Sequence, residues 1–264
     1  MALFSDGSIS TLEQLVSQDT AVLDVASTEG IDAGTKLVLA QEELGVELTA
    51  ALSRSPFSLT TPSAWWPGSI AASQSTLRLS NIVVTPPLRL WHSFRTLSLI
   101  YRDAYNNQLN DRYLGKWNAY NDLAKWASGM LLQTGVGVVS DPIPMAQSPQ
   151  VDVLGGTLLA STYYVQVAWV NGRGEEGMAS AVASVSAPDQ SSIRVGTTDL
   201  PTNAVAWNLY AGSSVDAIML QNVMPMALGQ AWLIPPSGLA SGRTPGNGQE
   251  PNYFQQLPRY LQRG

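Results

Sequence analysis

The side chains that most often carry out chemistry are scarce in this sequence. Its 264 residues include one histidine, His92, and no cysteine. Thiol catalysis, disulfides and cysteine-ligated zinc are therefore excluded, and a histidine-rich metal site cannot be assembled. A Ser-His-Asp triad would have to use His92. That residue sits between Trp91 and Phe94 in a helical pattern, with no Gly-x-Ser-x-Gly context nearby. It is expected to be a structural histidine lined by aromatic side chains. Carboxylates are what remain for acid–base work. Glu42-Glu43 and Glu175-Glu176 are adjacent in sequence, but neighbouring helical side chains diverge by about 100°, so Glu42 and Glu43 cannot converge on one substrate. Gly172-Arg173-Gly174-Glu175-Glu176-Gly177 matches G-x-G-x-x-G after a strand pattern. A dinucleotide site also needs a helix opening at the third glycine. Here Met178 to Ser186 reads as a strand, and two glutamates would stand where pyrophosphate belongs. A hairpin turn with glycine at positive φ is the expectation. No catalytic residue, cofactor or metal site is expected.

Composition narrows the class further. The chain is 45% hydrophobic and 13% charged, about half the usual charged fraction. The net charge of −6 argues against a nucleic-acid grip, which needs a basic surface, yet suits a surface that DNA slides past. No apolar run is long enough to cross a membrane, and the first residues lack a secretory pattern. Cytoplasmic synthesis is the expectation. The charge is uneven: residues 1–55 carry net −7, residues 56–150 net +3, and residues 151–264 net −2. The acidic and basic segments are either solvated helix faces or pair within the chain or between copies.

Two regions before residue 135 have helical periodicity. Ser10-Thr11-Leu12-Glu13 resembles a capping box for a short helix over about 11–17. Asp32 can cap a longer helix over about 32–53, where Leu37, Ala40, Leu44, Leu48, Ala51 and Leu52 form one apolar stripe. After Pro86-Pro87, apolar residues recur every three or four positions from Leu90 to Leu131. This predicts one helix of more than 40 residues or two in line, ended by Gly135 and Gly137. Between the two regions, residues 56–86 are rich in Pro, Ser and Thr and contain Trp65-Trp66, either a plug for the bundle or a partner anchor. Short strands are expected within Gln74–Val84.

After Gln150 the period changes to two. Strands are expected at Tyr163–Val170, Ala179–Ala187, Ser192–Val195, Ala206–Ala211, Leu220–Val223 and Ala231–Ile234. Together they suggest a β-sandwich of about 100 residues. The expected fold class is segregated α+β: an N-terminal α-helical bundle with long helices, then a C-terminal antiparallel β-sandwich. The expected domains are residues 1–148, including the 56–86 excursion; residues 149–250; and a C-terminal arm at 251–264. That arm holds Tyr253, Phe254, Leu257, Arg259, Tyr260 and Leu261, anchors of a kind common at interfaces. It either folds back on the sandwich or docks on another subunit. One alternative function is a binding module in which exposed Trp169, Trp207 or Trp232 would take a glycan or a cell-surface receptor, as in an adhesin-like virion module.

Several segments carry a resemblance. Asp19 to Asp32, Lys36-Leu37 and Ala40-Gln41-Glu42-Glu43-Leu44-Gly45 resemble head-to-tail adaptor (neck, or connector) proteins of tailed bacteriophages. Leu109 to Trp117, Gly135 to Val138 and Pro142-Ile143-Pro144 do so too. Tyr163 to Val167, Asn171 to Gly177 and Asn208 to Gly212 are similar to the fibronectin type III-like or Ig-like modules common in virion proteins. The resemblance implies a structural virion protein without catalysis, located in the neck and assembled in the host cytoplasm. It implies a homo-oligomeric ring, typically of twelve copies, bound beneath the portal protein and above tail proteins. Double-stranded DNA would pass through its channel without specific binding, and the β-domain would form a collar. The candidate channel-facing acids are Glu42, Glu43 and Glu47. The candidate partner anchors are Trp65, Trp66 and the C-terminal arm.

Overall fold

A computed structural model describes residues 1–54 and 77–257. They form a mixed α and β protein with five α-helices and several antiparallel sheets. The chain divides into two compact units: residues 7–138 with 252–264, and residues 1–6 with 139–251.

The first unit is helical. α1 (Leu12–Gln18) starts at a capping box one residue later than expected: Thr11 Oγ1 accepts from the Gln14 backbone, and the Gln14 side chain accepts from the Thr11 backbone. Ser10, the expected cap, is buried and bonds Ser93 Oγ at 2.9 Å instead. α2 (Val22–Thr28), which the periodicity did not signal, buries Val22, Val25 and Ala26. α3 (Ala33–Arg54) is introduced by Asp32, whose Oδ1 accepts from Gly34 N at 2.9 Å. A single 3-10 turn at Leu79–Asn81 stands where a short strand was expected, and only Ile82 bridges to Val138.

The long helical pattern is two helices, α4 (Pro86–Gln108) and α5 (Asp111–Thr134), and they are not in line. Leu109 adopts the left-handed conformation at φ 53, and Asn110 Oδ1 accepts from Arg112 N at 3.0 Å to start α5. The ring contacts then run in opposite directions: Tyr105 meets Trp117 near the turn, while Tyr101 meets Tyr120 further along. α4 and α5 are thus an antiparallel αα-hairpin. α4 is buried nearly all round, with α1, α2, α3 and α5 packed against it. α5 ends at Gly135, and β1 (Val136–Val138) follows, fully buried. The C-terminal strand β10 (Tyr253–Gln255) pairs with β1, so the described part of the expected arm is a strand of the helical unit.

The second unit holds two antiparallel sheets. β2 (Gln150–Leu158), β5 (Ser191–Gly196) and β9 (Trp232–Leu233) form one. β3 (Ser161–Asn171), β4 (Ala183–Ala187), β6 (Ala204–Gly212) and β7 (Met219–Leu220) form the other in the order β4-β3-β6-β7, with β8 (Met226–Ala227) also on β6. β2 was not expected, because Gly155-Gly156 reads as a turn; the register shifts there. Trp169 and Trp207 lie opposite each other on β3 and β6. They are fully buried with Val165, Val167, Val195, Leu209 and Ala211. Ile143 and Ala146 enter the same core, and Ile143 N donates to Gln249 at 2.7 Å. Residues 139–148 therefore pack with the sheets, although the sequence pattern grouped them with the helices. The alternate face of β3 and β6 is buried as well, by Ala168, Tyr210, Ala179 and Ile218.

Trp207→Ala should remove about 3–5 kcal/mol of stability, the usual cost of deleting a buried tryptophan. It also strands the Ala227 carbonyl that accepts from Trp207 Nε1 at 3.1 Å. Val223→Ala, at a fully exposed position, should stay within about 0.5 kcal/mol of the parent. Urea unfolding of the two variants checks the pair.

Candidate functional site

The densest polar cluster of the helical unit centres on Asp19, the residue that ends α1. Its carboxylate is buried. Oδ2 accepts from Tyr101 Oη at 2.8 Å, from Tyr120 Oη at 2.8 Å and from Lys116 Nζ at 2.7 Å. Oδ1 accepts from Ala21 N at 3.2 Å. Tyr101 comes from α4, and Tyr120 and Lys116 come from α5, one turn apart. The two phenol rings stack at 5.6 Å, and Lys116 Nζ lies 5.5 and 5.6 Å from their centroids. Burial alone would raise the Asp19 pKa. The bonds from Lys116, Tyr101 and Tyr120 outweigh it and hold the carboxyl below its usual range. Both phenols are pushed up by burial and by the neighbouring anion. At neutral pH no member of the cluster is poised to give or take a proton. Its chemistry is cohesion between α1, α4 and α5.

His92 lies deep in the same unit. Its Nε2 donates to the Leu37 carbonyl at 3.0 Å, which joins α4 to α3. Nδ1 is buried without a hydrogen-bond partner. Burial lowers the imidazole pKa to about 4. The ring is neutral under ordinary conditions, with no nucleophile beside it among its bonds.

The paired glutamates of the β unit are fully committed. Glu175 Oε2 accepts from Asn171 at 2.8 Å and from Gln249 at 3.0 Å. Glu176 accepts from Tyr210 Oη at 2.6 Å, from Arg243 at 2.6 Å and from Asn208. The G-x-G-x-x-G segment is a turn with Gly174 at φ 77, and no helix follows it. Its carboxylates bind side chains of their own unit, which leaves no cradle for phosphate. An open polar cleft of about 470 Å³ lies beside Gly30, Asp32, Lys36, Asp103 and Asn107. Its charges are likewise engaged: Asp32 caps α3, and Lys36 pairs with Asp103. Among the described residues no group of three or more His, Asp or Glu could hold a metal ion.

The three candidate channel acids do not share a face. Glu43 pairs with Arg95 of α4 at 2.5 Å. Glu47, one turn on, stands in the field of the same Arg95. Glu42 alone points away with exposed Val38 and Val46. Of the candidate anchors, Trp65, Trp66, Arg259, Tyr260 and Leu261 lie outside the described residues. Leu257 is buried, Tyr253 is half-buried, and Phe254 is 57% exposed on β10. Burial of Trp169 and Trp207 removes two of the three tryptophans offered as a glycan platform, and Trp232 is half-buried against the core. The Asp19 cluster was missed in the sequence, where its four members are separated by up to 101 positions and each looks like an ordinary helix residue.

Asp19→Asn should cost about 3–5 kcal/mol, because it leaves a buried ammonium and two phenols without their common anion. Thermal or urea unfolding measures this. For His92 the folded pKa lies below the ordinary 6.5, so the unfolded chain takes up the proton first. The stability held above pH 6.5 is therefore lost as pH falls toward 4, by about 3 kcal/mol in total. His92→Gln should flatten that part of the stability profile; a profile unchanged by the substitution would contradict the assignment.

No protein-family model matches the chain, and no curated protein matches it.

Proposed function

We propose that the protein is a non-enzymatic structural subunit of a tailed-phage neck, a head-to-tail adaptor. Copies would assemble into a ring of about twelve between the portal protein and tail proteins, around the channel through which DNA passes. The β unit would be a fibronectin type III-like or Ig-like sandwich projecting as a collar. The observation that carries this reading is a helical unit whose ionisable groups are spent on internal cohesion while apolar side chains stay on its outer helical faces. Val38, Val46, Leu123, Trp126 and Met130 are all exposed there. A subunit built to be covered by neighbours has this distribution, since interface cores are depleted in charge. The resemblance of its sequence segments to neck proteins points the same way. The acid-rich first 55 residues suit a wall that repels DNA phosphates.

Mass photometry of the full chain, alone and mixed with the portal protein of the same virus, tests the reading. The expected result is a ring of about twelve copies or co-assembly with the portal. A monomer or trimer indifferent to the portal would overturn it and favour the receptor-binding module.

A further inference from the structure

Two exposed stripes run along the helical unit, one on α3 and one on α5. Both helices pack their buried faces on α4, and no extensive contact joins α3 to α5 among the described residues. The outward side of α3 presents Val38, Glu42, Val46 and Thr49, which fall on one helical face at spacings of four, four and three. Val38 is 58% and Val46 71% exposed. The outward side of α5 presents Arg112, Lys116, Ala119, Leu123, Trp126 and Met130, at spacings of four, three, four, three and four. Trp126 is 55% exposed, unusual for the residue type that most often anchors interfaces.

The stripes differ in charge and shape. The α3 stripe carries one acid and no base. The α5 stripe carries two bases and no acid, since Asp111 and Asp122 project about 80–100° away from it. The α3 stripe is low, made of valine and threonine; the α5 stripe ends in the bulky group Leu123, Trp126 and Met130. Laid parallel from their first turns, the stripes bring Glu42 beside Lys116 and Val46 between Leu123 and Trp126. Spacing along a helix is about 1.5 Å per residue, so Glu42 and Lys116 are offset by only about 5 Å in this register.

From this we infer that the α3 stripe of one copy packs against the α5 stripe of the next, and that the occupant of each face is a second copy of this chain. The inference deepens the ring reading and rests on it. Two different patches that fit each other form a heterologous contact, which propagates head to tail and closes into a ring. Trp126 is the central anchor, seated against Val46, and Glu42 meets the Arg112–Lys116 end of the neighbouring α5.

Val46→Glu and Trp126→Glu each place a charge on one stripe at an exposed position, so circular dichroism should show an unchanged fold. Each variant alone should associate at least tenfold more weakly than the parent in sedimentation velocity, with or without portal. Mixed one to one, they should form a dimer and nothing larger, because the Trp126→Glu chain keeps its α3 stripe and the Val46→Glu chain keeps its α5 stripe. If both variants assemble like the parent, the interface assignment is wrong and the ring reading stands. If Trp126→Glu alone disrupts assembly and the mixture stays monomeric, α5 pairs with α5 and the proposal falls. A parent chain that stays monomeric with and without portal overturns the ring and this interface together. A ring that the two variants break but that ignores the portal upholds the interface and overturns the adaptor reading.

Discussion

A carboxylate cannot remain charged inside a protein unless its neighbours replace the water it has lost. Asp19 meets that condition with a lysine ammonium, two phenols and a backbone amide, and the helical unit is organised around meeting it. The donors come from both arms of the αα-hairpin. Asp19 therefore fixes which residues of α4 face α5 and holds the short N-terminal helices on the hairpin. Stacking of Tyr101 on Tyr120 follows from two phenols converging on one oxygen. The exposed faces of α5 follow too, since placing Tyr120 inward turns Leu123 and Trp126 outward.

The same economy governs α4. A helix buried nearly all round is expected to be apolar, yet α4 carries His92, Ser93, Thr96 and Ser98 in its buried set. Ser93 bonds Ser10, Thr96 bonds the His92 carbonyl, and His92 bonds Leu37. Each of these bonds either ties α4 to another segment or closes within a turn. Glu175 and Glu176 do the equivalent work in the β unit, where they tie the 171–177 turn to β6 and to the segment near residue 249. Residues that would be suspects for catalysis in an enzyme are here the fasteners of the fold.

Much of the fold was legible in the residues, and the failures have physical causes. Asp32 as the start of α3, the glycine stop at Gly135 and the core strands β3, β5 and β6 follow from local signals. The helix pair α4–α5 was read as continuous because the stripe from Leu90 to Leu131 keeps its period through the turn, and a non-glycine residue, Leu109, takes the left-handed conformation there. α2 was missed because its seven residues carry too few apolar positions to show a period. β2 was hidden by a glycine pair and by its mostly exposed side chains. The structural role of His92 was readable from its aromatic neighbours. The Asp19 cluster was not, because its donors are assembled by a hairpin whose turn was itself unread. The candidate acids failed as a group for a simpler reason: Glu42 and Glu43, one residue apart, point in directions about 100° apart.

The two ends of the chain belong to opposite units. Met1–Asp6 pack with residues 139–251, while β10 pairs with β1 next to the end of α5. Asp6 accepts from Met145 N at 2.9 Å, and the Met1 carbonyl lies so close to Gly248 that a side chain there would collide. Neither unit is contiguous in sequence, so neither can be excised by a single cut. During synthesis the helices emerge first, but their small sheet lacks a strand until the last dozen residues have left the ribosome. Completion of the helical unit is thereby timed to the end of translation, and a chain truncated before β10 is recognisably unfinished.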